Sequence, residues 1–242
     1  MSISLCTPTC DRRPFIKTMI KCIKNQTCLP MEWIILDDGE DKIKDLVEDI
    51  PYIKYYTCEK MSIGEKRNLI HKYTRGQILI YIDDDDYYPP ERISTVLGGL
   101  DGNELCSGSS IMFIYFSELN KIYEFGPYGK NHATAATFGF KRELLNHTAF
   151  KNDHRAEEKF FLKKWTIPLK QLDPKKTILV INHSMNTVDR SILLSGPNVK
   201  ETEYTLEDFV TDVDILHFYK NEMSSALLNY KNNLKDQRQG AS

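Results

Sequence analysis

The sequence predicts an α/β protein whose sheet is mostly parallel in the first half of the chain and mixed in the second. Strand-like apolar runs alternate with helical patterns from the N-terminus to about residue 100, as in βαβ units. After Gly98 and Gly99, two neighbouring apolar runs joined by a short polar turn indicate a hairpin. No repeat or linker divides the chain, so we expect a single domain over residues 1–236.

Four strands and four helices follow one another in the first half. The strands are predicted at residues 2–7, 31–36, 52–57 and 77–82. The helices are predicted at residues 14–24, 42–49 and 62–70 and from Glu91 onward. Pro14 suits a first helical position. Ser62, with Glu65 three residues later, forms a capping-box pattern.

The second half contains fewer regular elements. Its strands are predicted at residues 110–116 and 121–125, which form the hairpin, and at residues 178–181. Between them we expect a loop at 126–132, a small-residue segment at 133–140, a helical turn at 142–145 and a short helix at 156–165. The C-terminal segment at 201–236 is predicted to be helical from Thr205 on, and residues 237–242 to form a disordered tail.

Composition excludes several classes of protein. A formal net charge of −2 argues against electrostatically driven nucleic-acid binding. No apolar run approaches the roughly 20 residues that a membrane span needs, and no secretory signal is evident. The six cysteines show no paired C-x-x-C spacing, so we interpret them as free thiols in a reducing compartment. These features predict a cytoplasmic protein.

Four adjacent carboxylates, Asp83 to Asp86, follow the strand at residues 77–82. Adjacent carboxylates repel one another unless they are solvated or neutralised, and a hard divalent cation neutralises them well. Ligands of open α/β sheets lie off the carboxyl ends of the strands. The position therefore favours a metal site, and a solvated acidic turn is the structural alternative. Asp37 and Asp38 close the second strand in the same way.

The sequence lacks the glycine-rich signatures of the common nucleotide-binding loops. Neither the G-x-G-x-x-G pattern of dinucleotide-binding domains nor the G-x-x-x-x-G-K-[ST] pattern of P-loop enzymes occurs. A phosphate-bearing ligand would therefore need a metal ion and side chains to hold it.

Several motifs together carry a resemblance to a known family. They are Thr7-Pro8-Thr9 with Arg12-Arg13, residues 33–39, residues 64–68, residues 82–86, residues 133–140, Glu157-Glu158, and His183 with Asn186. In their order and spacing they resemble GT-A fold glycosyltransferases, in particular family 2-like inverting enzymes and their virus-encoded members. The resemblance implies a Rossmann-like half that binds a nucleotide-sugar, about residues 1–100, and a mixed acceptor half, about residues 101–200.

The resemblance also implies a metal site. The family's DXD motif falls on Asp83-Asp84-Asp85, which would hold Mn²⁺ or Mg²⁺ on the donor diphosphate. We expect Asp85 to be the direct ligand, Asp83 to be a further ligand or a ribose partner, and His183 to complete the site. The run of four carboxylates leaves the register open by one residue.

The donor contacts implied by the resemblance come from three parts of the chain. Asp37 and Asp38 would read the base, since a carboxylate accepts a hydrogen bond from uracil N3–H. The remaining predicted contacts are Thr7, Pro8, Thr9, Arg12, Lys66, Arg67, Asp83, Asp84 and Asn186. The structural alternatives are a solvated turn for Asp38 and an exposed helix face for Lys66 and Arg67.

Glu157 and Glu158 are the candidates for the general base. An inverting transfer needs one carboxylate to deprotonate the acceptor hydroxyl. The family has Glu-Asp at this place and this chain has Glu-Glu, so the assignment within the pair stays open, and we favour Glu158. The alternative is two acidic residues that stabilise a helix N-terminus.

We therefore predict a metal-dependent glycosyltransferase that uses a nucleotide-sugar, with UDP as the expected nucleotide, and a glycan or glycoconjugate acceptor. It would act in the cytoplasm, which is the host cytoplasm for a virus-encoded protein. A sugar nucleotidyltransferase is one alternative, although the segment from Thr7 to Pro14 lacks the glycines of its phosphate loop. A non-catalytic calcium or glycan-binding module is the other.

Overall fold

Two β-sheets form the framework of the computed structural model, which describes residues 1–152, 157–186 and 190–240. Within these residues the strands are β1 (Ile3–Thr9), β2 (Glu32–Asp37), β3 (Ile53–Thr57), β4 (Ile78–Tyr81), β5 (Cys106–Gly108), β6 (Met112–Phe116), β7 (Lys121–Phe125), β8 (Gly139–Lys141), β9 (Leu169–Gln171), β10 (Leu179–Asn182) and β11 (Val199–Glu201). The helices are α1 (Arg13–Lys24), α2 (Lys44–Val47), α3 (Ile63–Tyr73), α4 (Arg92–Gly99), α5 (Glu157–Phe161), α6 (Val213–His217) and α7 (Met223–Gly240).

The larger sheet has the strand order β3-β2-β1-β4-β8-β5-β9. Strands β1 to β4 are parallel to one another, and β8 is antiparallel to both β4 and β5. The smaller sheet has the order β10-β6-β7-β11, and β6 and β7 form an antiparallel hairpin. The predicted parallel first half, the hairpin and the mixed second half are thus confirmed.

The structure differs from the prediction where elements are short. Helix α2 has four residues instead of the eight predicted at 42–49. Helix α5 ends at Phe161 instead of residue 165, and residue 156 of that predicted helix lies outside the described residues. Strands β5, β8, β9 and β11 have three residues each, which is too short to show a periodicity in the sequence.

The C-terminal segment is more ordered than predicted. Helix α7 continues to Gly240, so residues 237–240 are helical, whereas the sequence predicts a disordered tail from residue 237. The last two residues, 241 and 242, lie outside the described part of the chain. Helix α7 packs on α1, and the Tyr230 hydroxyl donates to Asp41 Oδ2 at 3.0 Å. These tertiary contacts anchor a helix whose tail is polar in sequence.

Local sequence explains how the first elements form. Helix α1 has Pro14 in its first turn and buries Phe15, Met19 and Ile23 on one face. Helix α3 has the predicted capping box, because the Ser62 side chain accepts from the Glu65 backbone and Glu65 accepts from the Ser62 backbone. One hydrophobic core joins the two sheets, so the described residues form a single domain.

A buried arginine ties helix α4 to the segment that precedes β8. Arg92 is fully buried, and its guanidinium donates to the carbonyl oxygens of Thr137 at 2.5 Å, Ala136 at 3.1 Å, Phe138 at 3.3 Å and Tyr81 at 3.3 Å. Burial lowers its pKa to about 10, so the side chain is still charged at neutral pH. Arg92 thereby positions residues 136–138 beside the end of β4.

We expect Arg92→Met to lower the free energy of unfolding by about 3 kcal/mol. The substitution keeps most of the apolar volume but leaves buried carbonyl oxygens without a donor. Urea unfolding followed by circular dichroism measures the effect. Arg75→Met is the control, because the Arg75 side chain is 76% exposed. A loss for Arg92→Met no larger than that of the control would contradict the role we assign.

No helix in the described part of the chain is long and apolar enough to cross a membrane. The six cysteines are all free thiols, as the sequence predicts.

Candidate functional site

A cleft of about 550 Å³ opens at the carboxyl ends of β1, β2 and β4. The parallel register places these ends side by side, with Thr9 opposite Asp37 and Cys6 opposite Tyr81. The predicted site residues that line the cleft are Pro8, Thr9, Arg12, Asp38, Lys66, Arg67, Asp83, Asp84, Asp85, Glu158 and Asn186. Residues more than 170 positions apart in sequence thus share one concave surface.

Thr7 and Asp37 lie behind the cleft and support its walls. The fully buried Thr7 hydroxyl donates to the Ile82 carbonyl oxygen at 2.7 Å and accepts from Trp33 Nε1 at 2.8 Å. Asp37 accepts from Gly39 N at 2.8 Å and from the Tyr55 hydroxyl at 2.6 Å. In this structure both side chains order the loops after β1 and β2 rather than face the cleft.

Asp38 and Lys66 form a buried ion pair in the cleft wall. Lys66 Nζ contacts Asp38 Oδ1 and donates to the Thr9 carbonyl oxygen at 3.0 Å. Burial would raise the pKa of Asp38, but the hydrogen bond from the Lys66 ammonium outweighs it and the pKa lies below its ordinary value. Asp38 is therefore a fixed, ionised acceptor. Lys66 orients it and is not an exposed helix residue.

Arg67 stands between the acidic run and an aromatic cluster. Its guanidinium carbon lies 4.4 Å from the centre of the Tyr81 ring and 5.7 Å from that of Phe150. Its Nη2 lies 3.6 Å from Asp83 Oδ1. The stacking desolvates the guanidinium and directs it toward Asp83.

One turn after Arg67, His71 joins helix α3 to β4 through a hydrogen bond to the Tyr81 hydroxyl at 2.5 Å. Burial, assisted by the charges of Arg67 and Arg142, lowers the pKa of His71 from 6.5 to about 3. The folded protein therefore holds a neutral imidazole over a wide pH range. Its contribution to stability is present above pH 6.5 and is lost as the pH falls toward 3, because only the unfolded chain takes up the proton.

We expect the wild-type protein to lose about 2 kcal/mol of stability through His71 between pH 7 and pH 5. His71→Gln removes the titrating group and retains a partner for Tyr81, so its stability should fall less over this interval. Urea unfolding at both pH values measures the difference. His217→Gln is the matched control, because His217 is exposed. Equal pH dependence in wild type and His71→Gln would contradict this explanation.

The four aspartates of the run have different surroundings. Asp83 is partly exposed and faces Arg67, whereas Asp84, Asp85 and Asp86 are largely buried. Burial and the charge of Asp85 raise the pKa of Asp84 to about 7, and the same causes raise that of Asp86 well above its ordinary value. Burial would raise the pKa of Asp85 as well, but His183 and Arg12 outweigh it and lower the pKa.

Arg12 connects three loops at this point. Its Nε donates to Asp85 Oδ2 at 3.3 Å, its Nη2 donates to the Met185 carbonyl oxygen at 2.9 Å, and its Nη1 donates to the Cys10 carbonyl oxygen at 3.4 Å. The loops after β1, β4 and β10 are thereby joined. Arg12 is a structural part of the site and not a surface residue.

His183 follows β10 and lies beside Asp85, with Nε2 3.2 Å from Asp85 Oδ2. The Met185 backbone N–H donates to His183 Nδ1 at 3.1 Å, which assigns the proton of the neutral ring to Nε2, and Nε2 faces both Asp85 Oδ2 and, at 3.1 Å, Asn186 Nδ2. Asn186 Oδ1 accepts from the His183 backbone at 2.7 Å. This arrangement favours His183 as a hydrogen-bond donor to Asp85. Direct metal binding through Nε2 would require the proton to leave that atom.

The donor set fits a hard divalent cation that shares its ligands with a phosphate. Asp85 is ionised, and a cation beside it would favour ionisation of the neighbouring Asp84 and Asp86. Among the described residues, no three histidine, cysteine, aspartate or glutamate side chains are grouped to hold an ion by themselves. Mg²⁺ and Mn²⁺ accept one or two carboxylates, with the remaining ligands from substrate phosphates and water.

Glu158 lines the same cleft. It is the second residue of α5, and its side chain is partly exposed toward the cleft that contains the acidic run. The position is suitable for a carboxylate that acts on a ligand bound at the aspartates. The side chain of Glu157, the other candidate base, lies outside the described residues.

Four residues of the site were missed by the sequence reasoning. Asp11 has a positive φ of 53° and accepts from the backbone of Glu40 at 2.7 Å and of Asp41 at 3.0 Å, which joins the loops after β1 and β2. Gly39 is required there, because a Cβ would lie 2.5 Å from the Asp11 nitrogen. Lys60 and Arg190 line the cleft from loops without periodic pattern, and no local signal in the sequence marks them.

Sequence comparison provides relatives for the first part of the chain. The sequence profile of glycosyl transferase family 2 matches residues 4–155. An uncharacterized glycosyltransferase of Haemophilus influenzae is 26% identical over 115 residues, which cover 47% of this chain and 37% of that protein. The putative glycosyltransferase EpsH of Bacillus subtilis is 28% identical over 101 residues, which cover 40% of this chain and 29% of that protein. The chain therefore matches about a third of the length of these relatives.

Solved structures share the fold. TarS of S. aureus in complex with UDP has a TM-score of 0.55 and 18% identity, over 75% of this chain and 61% of that one. The mannosyltransferase PcManGT of Pyrobaculum calidifontis in complex with GDP-Man and Mn²⁺ has a TM-score of 0.59 and 13% identity, over 99% of this chain and 76% of that one. These likenesses confirm the predicted fold class.

Proposed function

Because the chain belongs to glycosyl transferase family 2, we propose that it transfers a sugar from a UDP-sugar to a hydroxyl group of a glycan or glycoconjugate, with inversion at the anomeric carbon. The observation that carries the proposal is the single cleft that contains the acidic run, the Asp38–Lys66 pair and Glu158. Such a transfer requires three parts. Asp38 would recognise the nucleobase, the acidic run would hold the diphosphate, and Glu158 would act as the general base.

The nucleoside half of the donor would bind between the loops after β1 and β2. Asp38 is a buried, ionised acceptor, which suits the N3–H of uracil. Pro8 and Thr9 line the wall beside it. Thr7 and Asp37, predicted as further contacts, would act by holding these loops in place.

The diphosphate would bind at the acidic run through a divalent cation, Mn²⁺ or Mg²⁺. When bound, the cation stabilises the negative charge that develops on the leaving nucleoside diphosphate. Asp85 is the residue that would hold it. If the metal-binding motif is shifted along the run, Asp83 or Asp84 would hold the cation instead. Arg12 and His183 keep Asp85 ionised and oriented through their hydrogen bonds.

Glu158 would be the general base. It would accept the proton of the acceptor hydroxyl while that oxygen attacks the anomeric carbon from the face opposite the diphosphate. Its position in the cleft supports this role. The virus-encoded resemblance and the cytoplasmic location stay predictions.

Titration of UDP by calorimetry, with and without Mn²⁺, tests the proposed function. We expect UDP to bind only when Mn²⁺ or Mg²⁺ is present, and CDP to bind more weakly, because cytosine N3 carries no hydrogen to donate to Asp38. Ca²⁺ binding without any nucleotide binding would favour a calcium module instead. Release of pyrophosphate from UTP and a sugar 1-phosphate would favour a nucleotidyltransferase.

A further inference from the structure

Next to the cleft, three aromatic rings pack against one another outside the donor site, with interplanar angles of 39° for His132 with Trp165 and 44° for His132 with Tyr128. The His132 ring lies 4.3 Å from that of Trp165 and 4.9 Å from that of Tyr128, measured between ring centres. Tyr128 is 45% exposed and Trp165 is partly exposed. We call Tyr128, His132 and Trp165 the aromatic stack. Trp165 packs on the hydrophobic core with part of its surface, so the aromatic stack presents the remaining part of its ring and that of Tyr128 to solvent.

The aromatic stack is connected to the cleft at both ends. His132 is two residues before Thr134, which lines the cleft, so their Cα atoms lie within about 8 Å. Trp165 follows α5, the helix that carries Glu158 into the cleft. Gln171 Nε2 of β9 holds the loop that carries His132 by donating to the carbonyl oxygens of Lys130 at 2.8 Å and His132 at 3.1 Å. The aromatic stack therefore lies on the segments that also contribute Thr134 and Glu158 to the cleft.

The backbone that presents Trp165 is strained. Lys163, Lys164 and Trp165 have φ values of 48°, 54° and 67°. This left-handed region is unfavourable for residues with a Cβ and is rarely occupied by three in succession. Such strain persists where the surrounding structure enforces it, and it is concentrated at functional sites. Here the turn directs an indole toward His132 and two lysines toward solvent.

Exposed lysines lie on the segments that carry the aromatic stack: Lys130 is two residues from Tyr128, and Lys163 and Lys164 directly precede Trp165. Lys130, Lys163 and Lys164 are exposed, and none of the three forms an ion pair with another described residue. Solvated lysines beside aromatic rings provide a surface that attracts anions from solution.

We propose that the aromatic stack and the lysines beside it bind the acceptor, and that this acceptor is an anionic oligosaccharide. The proposal rests on the proposed function, which needs an acceptor next to Glu158. The face of a sugar ring carries C–H groups that pack on the negatively polarised face of an aromatic ring. Carboxylate, sulfate or phosphate groups on neighbouring sugars would be held by the lysines.

Calorimetry with two matched oligosaccharides tests the charge requirement. Tetragalacturonic acid and its methyl ester share one backbone, and only the first is anionic; a heparin tetrasaccharide provides a second anionic probe. We expect saturable binding of at least one anionic probe, weaker binding at higher salt, and no binding of the ester. Equal binding of acid and ester, or no binding of either anionic probe, would overturn the proposal.

Variants test whether the oligosaccharide binds at the aromatic stack and the lysines beside it. Lys163→Glu combined with Lys164→Glu should weaken binding of the anionic probe at least about tenfold. Trp165→Ala should also weaken binding, and the loss of affinity that it causes should depend less on the salt concentration. Lys44→Glu is the control, because the Lys44 side chain is 69% exposed on α2 and lies outside the cleft. Equal loss in the control would indicate non-specific attraction and would contradict the assigned site.

Tryptophan fluorescence provides an independent readout. The chain has two tryptophans, and Trp33 is fully buried with its indole N–H bonded to Thr7. A change in emission on binding should therefore come from Trp165 and disappear in Trp165→Phe. Binding without any change in wild-type emission would place the oligosaccharide elsewhere. Because UDP is absent from these titrations, failure of UDP to bind would count against the proposed function and not against the acceptor surface.

Discussion

Replacing Glu158 by Gln is expected to lower the rate of sugar transfer by about 10³-fold, within the range that general-base catalysis contributes. Glutamine has nearly the same shape and retains a hydrogen-bond acceptor, but it does not take up the proton of the acceptor hydroxyl at neutral pH. UDP affinity should stay unchanged, because Glu158 would act on the acceptor side. Release of UDP from the UDP-sugar that binds best measures the rate, and calorimetry measures the affinity.

Glu157→Gln is the matched control for this experiment. The two residues are adjacent at the start of α5, so both variants change the charge of the helix terminus equally. We expect Glu157→Gln to retain most of the activity. If Glu157→Gln loses the activity and Glu158→Gln retains it, the base is Glu157. If both variants remain active, neither carboxylate is the base.

Replacing Asp85 by Ala is expected to abolish metal-dependent UDP binding and to lower kcat/KM by roughly 10³-fold. The change removes the carboxylate that would hold the cation, and charge stabilisation of a leaving group by a metal ion contributes several kcal/mol. It also removes the acceptor for Arg12 and His183. Calorimetry with UDP and Mn²⁺ measures the affinity, and urea unfolding establishes that the variant folds.

Two further substitutions establish whether the effect of Asp85→Ala is specific to that carboxylate. Asp101→Ala removes an exposed carboxylate from a turn outside the cleft and should change nothing. Asp83→Ala should have a smaller effect than Asp85→Ala, because Asp83 faces Arg67 and is partly exposed. A larger effect for Asp83→Ala than for Asp85→Ala would indicate that Asp83 is the direct metal ligand. Unchanged UDP binding in every aspartate variant would contradict a metal-held diphosphate.

The sequence alone predicted much of the fold because its signals are local. The four parallel strands are apolar runs that end in turns, and the capping box at Ser62 and Glu65 is a four-residue pattern. The run of four aspartates marks a strand end without any knowledge of tertiary contacts. Each of these features depends on residues that are close together in the chain.

The role of individual side chains was not predictable in the same way. Asp37 and Asp38 are adjacent and alike in sequence, but only Asp38 lines the cleft, because Asp37 is turned to the Gly39 backbone and Tyr55. Lys66 and Arg67 were predicted as donor contacts with an exposed helix face as the alternative, and the structure excludes that alternative because both are buried against partners from other elements. No periodic pattern distinguishes Arg92 from a surface arginine.

The sequence by itself determined the order of the first-half elements and the hairpin, because alternating apolar runs are local properties, and its motifs carried the resemblance to the family. Only the tertiary structure decided which of those polar residues share a cleft, which support it from behind, and that Tyr128, His132 and Trp165 meet beside it. The physical reason is that burial and charge pairing depend on contacts between residues tens to more than a hundred positions apart, such as His183 with Asp85.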